Sequence, residues 1–400
     1  MTHKIKICLV AHLFPSHEQD HKGIFVRDLA LELFRRGYEV HVVTPMRPSA
    51  VKEESCDGVY VHRFPFLGWH RGIQLGELKG TPILLLGSLI ISGIIKCIQS
   101  VLKYRIDLIH AYWVVPGGFI GMVAGKLTGL PVVVTAAGSD LNLASGRSFV
   151  RQLIRLTLKS LDRLVAVSTP LSRIALNLGL SRDKCVIIPG PVGIDILEST
   201  PGKVKLATKK KYPQCLLYVG NLTPPRRIDT VIRAMLRVRE TSPDCHLVIV
   251  GDGILRQPSE LLAEELDIRP NIHFLGARAH DQVLELLRSA DVFIHCSNQE
   301  GLPVAIMEAM GASLPVVAGR VGGVPELVRE GETGFMVSPD DVEGYAKKTL
   351  RLLNDDQLRK TLGVNGRRYA ERHLNKTAIF SQLEIVYKEE LTSRQSKGFH

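Results

Sequence analysis

Apolar positions in the first half of the chain fall in short runs rich in β-branched residues, separated by longer stretches where they recur every three or four positions. The short runs predict strands buried on both faces, and the longer stretches predict amphipathic helices laid over them. Lys4–Ala11 reads as such a strand, Phe25–Arg36 as a helix that stops at Gly37, and Glu39–Thr44 as the next strand. Gly37 suits the left-handed residue that closes a helix, so the three make one βαβ unit. Further strands are expected at Val59–Phe64, Asp107–His110, Pro131–Thr135, Arg163–Ser168 and Val186–Pro189. Between Pro189 and Pro213 the pattern lapses into proline, glycine and lysine, as a linker would. It restarts at Leu216–Gly220 and continues through His246–Gly251, Asn271–Gly276, Asp291–Cys296, Pro315–Ala318 and Gly334–Val337. The expected architecture is α/β, with doubly wound Rossmann-like domains over residues 1–190 and 214–375 joined by a linker over 191–213. A terminal helix over 376–400 can cross back to the first domain. Two such sheets facing each other leave a cleft at the carboxyl ends of their strands, where ligands of parallel sheets sit.

The chain has 400 residues, 45% hydrophobic and 23% charged. That is ample for packed interiors and longer than the roughly 250 to 300 residues one core usually reaches. Its seven cysteines are odd in number and never spaced as CxxC, which fits reduced thiols and argues against a zinc ribbon or a redox pair. The first apolar run ends at His12, too short for the core of a signal peptide, so a cytoplasmic chain is expected. The longest apolar run, Pro82–Ile95, falls short of the ~20 residues a spanning helix needs and reads as a buried helix. A docking edge near Trp69 and Arg71 is the alternative reading.

Net charge is +11, and residues 1–190 hold 23 basic against 13 acidic side chains, so the excess lies in the first half and points to an anionic partner there. Arg147, Arg151, Arg155 and Lys159 recur every four residues among leucines, with no acidic residue between Asp140 and Asp162. Such a basic amphipathic helix fits an anionic membrane surface, and equally a solvated helix face. The cations are interleaved with leucine and not with stacking aromatics, so nucleic acid is not expected as the partner.

The densest polar segment is Ser297–Gly311. A predicted strand ends there in a loop carrying Glu300 and Gly301, followed by Leu302 and then Pro303 at the place where a helix would begin. The free N–H groups of that helix favour an anion such as a diphosphate, and Gly301 lets backbone approach it closely. Glu300 and Glu308 could then hold hydroxyls at the two ends of one sugar nucleotide, although two glutamates eight apart are, on spacing alone, more often a surface feature.

The run from Glu300 through Glu308, Pro315-Val316-Val317, Gly322-Gly323-Val324-Pro325-Glu326 and Gly331–Gly334, in that order, resembles the donor-binding core of the retaining glycosyltransferases of family 4. Leu216–Asp229, Leu247–Gly253 and Phe274-Leu275-Gly276 extend the likeness, as do Phe14-Pro15, Gly23–Arg27, His110–Trp113, Val134–Asp140 and Ala166–Ser168 in the first half. The resemblance implies the GT-B fold, a UDP- or GDP-linked sugar donor held by the second domain, a glycan or lipid-linked acceptor at the first, and transfer with retention. It places Glu300 against the donor sugar, Glu308 on the ribose, Gly23 near the diphosphate and the base against backbone at Gly276–Arg278. Glu326 would brace its loop.

Fixed cations should stabilise the charge that develops on the leaving diphosphate. Where the family pattern places an arginine and a lysine, this chain has Asn221 and Arg226, with Arg227 at the usual glycine and available as a second charge. No two aspartates stand two apart, so the metal motif of the other large glycosyltransferase fold is absent, and neither metal nor cofactor is implied. Ala137 replaces the family's histidine in Thr135–Asp140. Asp140 remains as a candidate general base. His110, at a strand end, is a candidate catalytic group or a histidine satisfied in the interior. The expected activity is transfer of a hexosyl or N-acetylhexosaminyl group in glycan biosynthesis at the inner membrane face. A sugar-nucleotide epimerase or a donor-binding protein without turnover are the alternatives.

Overall fold

The computed structural model describes residues 4–17, 23–48, 50–71, 83–142, 148–190 and 212–397. They divide into two compact units, residues 1–192 with 379–400, and residues 193–378. The expected linker lies outside the described residues as far as residue 211.

Unit 1 is built on an eight-stranded sheet. Its strands are β1 (Lys6–Val10), β2 (Glu39–Pro45), β3 (Glu53–Cys56), β4 (Val59–Phe64), β5 (Leu108–Tyr112), β6 (Val132–Ala136), β7 (Arg163–Ala166) and β8 (Cys185–Ile187). Their order is β3-β4-β2-β1-β5-β6-β7-β8, parallel except for β3. Parallel strands need crossovers, and the helices α1 (Ile24–Arg35), α2 (Ile83–Tyr104), α3 (Phe119–Thr128), α4 (Ser139–Asn142), α5 (Ser148–Ser160) and α6 (Thr169–Asn177) lie in those connections. Most strands fall within one or two residues of the sequence expectation, but β3 does not appear in it. Glu53-Glu54-Ser55-Cys56 has no apolar pattern because it is a mostly exposed antiparallel edge. The available signal was Asp57-Gly58, whose positive φ angles of 51° and 86° make the two-residue hairpin turn.

Unit 2 carries a six-stranded parallel sheet, β9 (Gln214–Val219), β10 (Cys245–Val250), β11 (Ile272–Gly276), β12 (Val292–His295), β13 (Val316–Gly319) and β14 (Gly334–Val337), in the order β11-β10-β9-β12-β13-β14. Its helices are α7 (Ile228–Thr241), α8 (Arg256–Glu265), α9 (His280–Ser289), α10 (Val304–Gly311), α11 (Val324–Leu327), α12 (Val342–Asn354) and α13 (Asp356–His373). The strands alternate strictly between two cores: Leu216, Tyr218, Leu247 and Ile249 pack with α7 and α12, while Cys215, Leu217, Val248 and Val250 pack with α9 and α10. Both faces of every central strand are thus covered, which is why they read as unbroken apolar runs.

The last helix, α14 (Lys376–Lys397), belongs to unit 1 from Ile379 onward. Ile379, Phe380, Leu383, Val386 and Tyr387 recur at helical spacing and enter the core beside α1. Glu384 meets Arg36 at 3.2 Å and Glu390 meets Arg163 at 2.8 Å.

The Pro82–Ile95 expectation needs correction. The helix begins at Ile83 and runs to Tyr104, long and apolar enough by length and composition to cross a membrane. One face, with Leu86, Leu89, Gly93, Cys97 and Val101, is buried in unit 1, but Ile83, Leu84, Ile91, Ile95 and Leu102 are exposed. Its polar residues Ser88, Ser92, Lys96, Gln99 and Lys103 recur along one side, but apolar side chains run past the buried face on to the exposed one, so hydropathy does not mark where burial ends.

Candidate active site

In unit 2 the polar residues gather where β9, β10, β12 and β13 end. Glycines let the loops there touch. A Cβ on Gly251 would stand 2.0 Å from the Gly220 carbonyl oxygen, and one on Gly322 would stand 1.9 Å from that of Glu300. Both have positive φ, so glycine is required twice over at each. The loop from Cys296 to Pro303 is clamped from two sides. Asn298 N–H donates to the Pro225 carbonyl at 3.0 Å, Arg227 N–H to that of Cys296 at 3.1 Å, and Gly323 N–H to that of Gly301 at 3.1 Å.

This clamp holds Glu300, whose side chain is 7% exposed, against the guanidinium of Arg226, with His295 Nε2 at 3.2 Å from its Oε1. Burial pushes His295 well below the ordinary histidine range, with the charge on Arg226 acting in the same direction. The ring is therefore neutral near pH 7. Arg226 Nη1 stands 3.3 Å from the same Nε2 and can only donate, so Nε2 accepts from it and the ring proton sits on Nδ1, which is buried without a partner. Sequence reasoning missed His295. Its signal was a histidine at the carboxyl end of a buried strand, five residues before the loop glutamate.

Pro303 takes the cap position, one residue before the helical span of α10, with Gly301 buried and Leu302 half-buried ahead of it. Glu308 follows in the second turn of α10, half-buried, with His280 Nδ1 at 3.8 Å. Gly276 has φ 72° and accepts from Gly251 N–H at 2.9 Å, while Arg278 is exposed and donates to the carbonyl of Ala277. Asn221 is exposed. The Glu326 carbonyl accepts from the Tyr369 hydroxyl at 2.6 Å, which ties α11 to α13.

Both cations expected at the diphosphate have carboxylate partners here. Arg226 lies at the predicted position, but its charge is directed at Glu300. Arg227 is engaged by Asp229 at 3.0 Å and by Asp340, and those two carboxylates hold its guanidinium firmly charged. It is a brace between α7 and the loop before α12 and not an open cation.

Unit 1 encloses two further candidates. His110 is fully buried, with Nδ1 at 2.6 Å from the Tyr387 hydroxyl and Nε2 at 2.8 Å from Thr135 Oγ1. Burial pushes it down to about 3. It is an interior histidine satisfied at both nitrogens, as the alternative reading held. Asp140 is also buried and accepts from Val114 N–H at 2.7 Å and Gly138 N–H at 2.9 Å. Burial raises its carboxyl above the usual range against the pull of those N–H groups. It fastens the loop after β5 to the loop after β6 and is not open as a base. Gly23 caps α1 at φ 77°, where a Cβ would stand 2.5 Å from the Leu13 carbonyl oxygen. On α5, Arg151, Arg155 and Lys159 are exposed while Val150, Ile154 and Leu158 are buried; Arg147 lies outside the described residues.

Residues 23–191 match the family described as glycosyl transferase 4-like domain, and residues 203–369 the glycosyl transferases group 1. The N-acetyl-alpha-D-glucosaminyl L-malate synthase of Bacillus anthracis is 24% identical over 382 residues, 92% of this chain and 94% of its own. Among solved structures, sucrose-phosphate synthase from Thermosynechococcus elongatus superposes with a TM-score of 0.81 at 22% identity, over 98% of this chain and 100% of its own. The Anabaena protein HepE in complex with UDP-glucose gives 0.76 at 18% identity, over 97% and 100%. The fold is therefore GT-B. With both of its halves matched in order, the chain belongs to the family-4-like glycosyltransferases.

Proposed function

We propose that this glycosyltransferase moves a hexosyl or N-acetylhexosaminyl group from a UDP- or GDP-linked donor, with retention and without a metal, to a glycan or lipid-linked acceptor at the cytoplasmic membrane face. The observation that carries the donor reading is the clamped Glu300 loop with Glu308 in the second turn of α10. Glu308 takes the ribose hydroxyls, and the N–H groups at the start of α10 face the diphosphate, as helix termini do for anions. The glycosidic C–O bond breaks with its electron pair passing to that diphosphate, and the acceptor hydroxyl oxygen forms the new bond to the anomeric carbon as its proton passes to the departing diphosphate oxygen. Glu300 orients the sugar. With Arg226 and His295 already against it, its carboxylate suits hydroxyl binding better than nucleophilic attack. The exposed arginines of α5 support the membrane placement.

Thermal unfolding of wild type and Glu308→Ala with UDP, GDP, ADP and their sugar conjugates, run in EDTA, tests this reading. A ligand at a hundred times its dissociation constant adds about 2.7 kcal/mol, an easily seen shift. One nucleotide should shift the wild type and shift the variant less. If no nucleotide does so, the Glu300–Glu308 assignment fails; if a shift appears only with added divalent metal, metal independence fails. Donor binding with no transfer to any acceptor would favour the non-catalytic alternative, which Ala137 keeps in view.

A further inference from the structure

On one face of the unit 1 sheet, α3 packs against both α2 and α5, so the three helices form one layer. Cys8 of β1 meets Cys97 of α2 on this side, whereas its neighbours Ile7 and Leu9 face α1 and α14 on the other. The layer has two properties that seldom coincide. Its helices carry six cationic side chains, Lys96, Lys103, Lys126, Arg151, Arg155 and Lys159, and no aspartate or glutamate. It also holds half of the exposed large apolar side chains among the described residues: five on α2, with Leu127 on α3 and Phe149 and Leu156 on α5.

The apolar positions on α2 are ordered. At 100° per residue, Leu84, Ile91, Ile95 and Leu102 fall within a wedge of about 40°, a straight stripe about 27 Å long. The opposite side of α2 is buried against β1, β2 and β4, so the helix cannot stand across a bilayer without leaving its sheet. It can lie flat. Monomeric proteins rarely leave such a continuous apolar stripe in water. A second copy seated on this layer through a two-fold contact would bring its cations against their own equivalents. A surface of phosphates above acyl chains matches both the stripe and the charge.

We propose that the α2–α3–α5 layer is the surface on which the chain rests on an anionic bilayer, with the α2 stripe settled at the boundary between headgroups and acyl chains. The cations of α3 and α5 meet lipid phosphates beside it. This rests on the membrane reading above and adds the element that enters the lipid.

Co-sedimentation of the full chain with phosphatidylcholine vesicles, with and without phosphatidylglycerol, tests the inference on wild type, Ile91→Asp with Ile95→Asp, and Arg151→Glu with Arg155→Glu. Wild type should bind the anionic vesicles, and the α2 double variant should lose about ten-fold or more of that affinity, as removal of two apolar side chains from the boundary requires. The replaced residues are exposed, so circular dichroism and melting of that variant should match wild type. If the α2 variant binds undiminished while the α5 variant does not, the stripe lies outside the contact; this inference fails and the membrane reading stands. If wild type ignores vesicles, both fail. A dimer that the α2 substitutions dissociate in sedimentation velocity would identify the stripe as a self-contact instead. Nucleotide-induced stabilisation measured on the same samples reports on unit 2, so the donor reading is judged separately.

Discussion

At the residue scale, the buried histidines make the chain sensitive to acid. His12 and His110 are both pushed down to about 3 by burial, and His295 is pushed well down as well. Their folded values lie below those of the unfolded chain, so between roughly pH 6.5 and 3 the unfolded state binds more protons, and stability falls as pH falls. Each fully neutral histidine costs at most about 2 kcal/mol between pH 6.5 and 5. Urea midpoints measured at pH 7 and 5 should therefore fall, and His110→Gln should show a smaller fall than wild type even though it starts less stable; an unchanged pH dependence in that variant would remove His110 from the account. At this scale the site was half legible. Glu300 and Glu308 were recognisable from their order among glycines and prolines. The partners of Glu300 were not, because His295 lies on a strand and Arg226 more than seventy residues earlier in the chain, and only the sheet brings β9 beside β12.

Elements place those residues through the approach of one loop to another, and a glycine substitution separates the cost of approach from the cost of conformation. Gly322 and Gly331 both have positive φ, but a Cβ on Gly322 would collide with the Glu300 carbonyl, whereas nothing lies within 4 Å of one on Gly331. Gly331→Ala should cost about 1–2 kcal/mol, the ordinary penalty of a left-handed alanine. Gly322→Ala should cost a further 1–3 kcal/mol for overpacking and should weaken donor binding as well, because the backbone it displaces is that of Glu300. Chemical denaturation with a donor titration checks both, and equal losses in the two variants would mean that the Glu300 loop yields freely. The parallel strands were legible as elements because burial on both faces leaves unbroken apolar runs. The β3 edge and the outward face of α2 were not. An exposed strand carries no apolar pattern, and on α2 the apolar side chains run past the buried face, so hydropathy does not mark the outer one.

For the whole molecule, the salient feature is that unit 1 is discontinuous in sequence. Its core is completed by α14, nearly two hundred residues after the rest of it, and Phe380 and Tyr387 are fully buried there with α1 and β1. The Tyr387 hydroxyl also supplies the partner for His110 Nδ1. Unit 1 therefore depends on the end of the chain, whereas unit 2, with both cores of its sheet supplied by residues 212–374, does not. Phe380→Ala should cost about 3–5 kcal/mol as a large-to-small core change. Tyr387→Phe should cost about 1–3 kcal/mol, since it leaves a buried ring nitrogen unpaired. A chain ending at Asn375 should lose the unit 1 fold while keeping nucleotide-dependent protection of unit 2 in hydrogen exchange. Should unit 1 keep native protection without α14, the helix would be an ornament on a core that closes by itself; should unit 2 lose its response to nucleotide as well, the donor site would need more of the chain than its own loops provide.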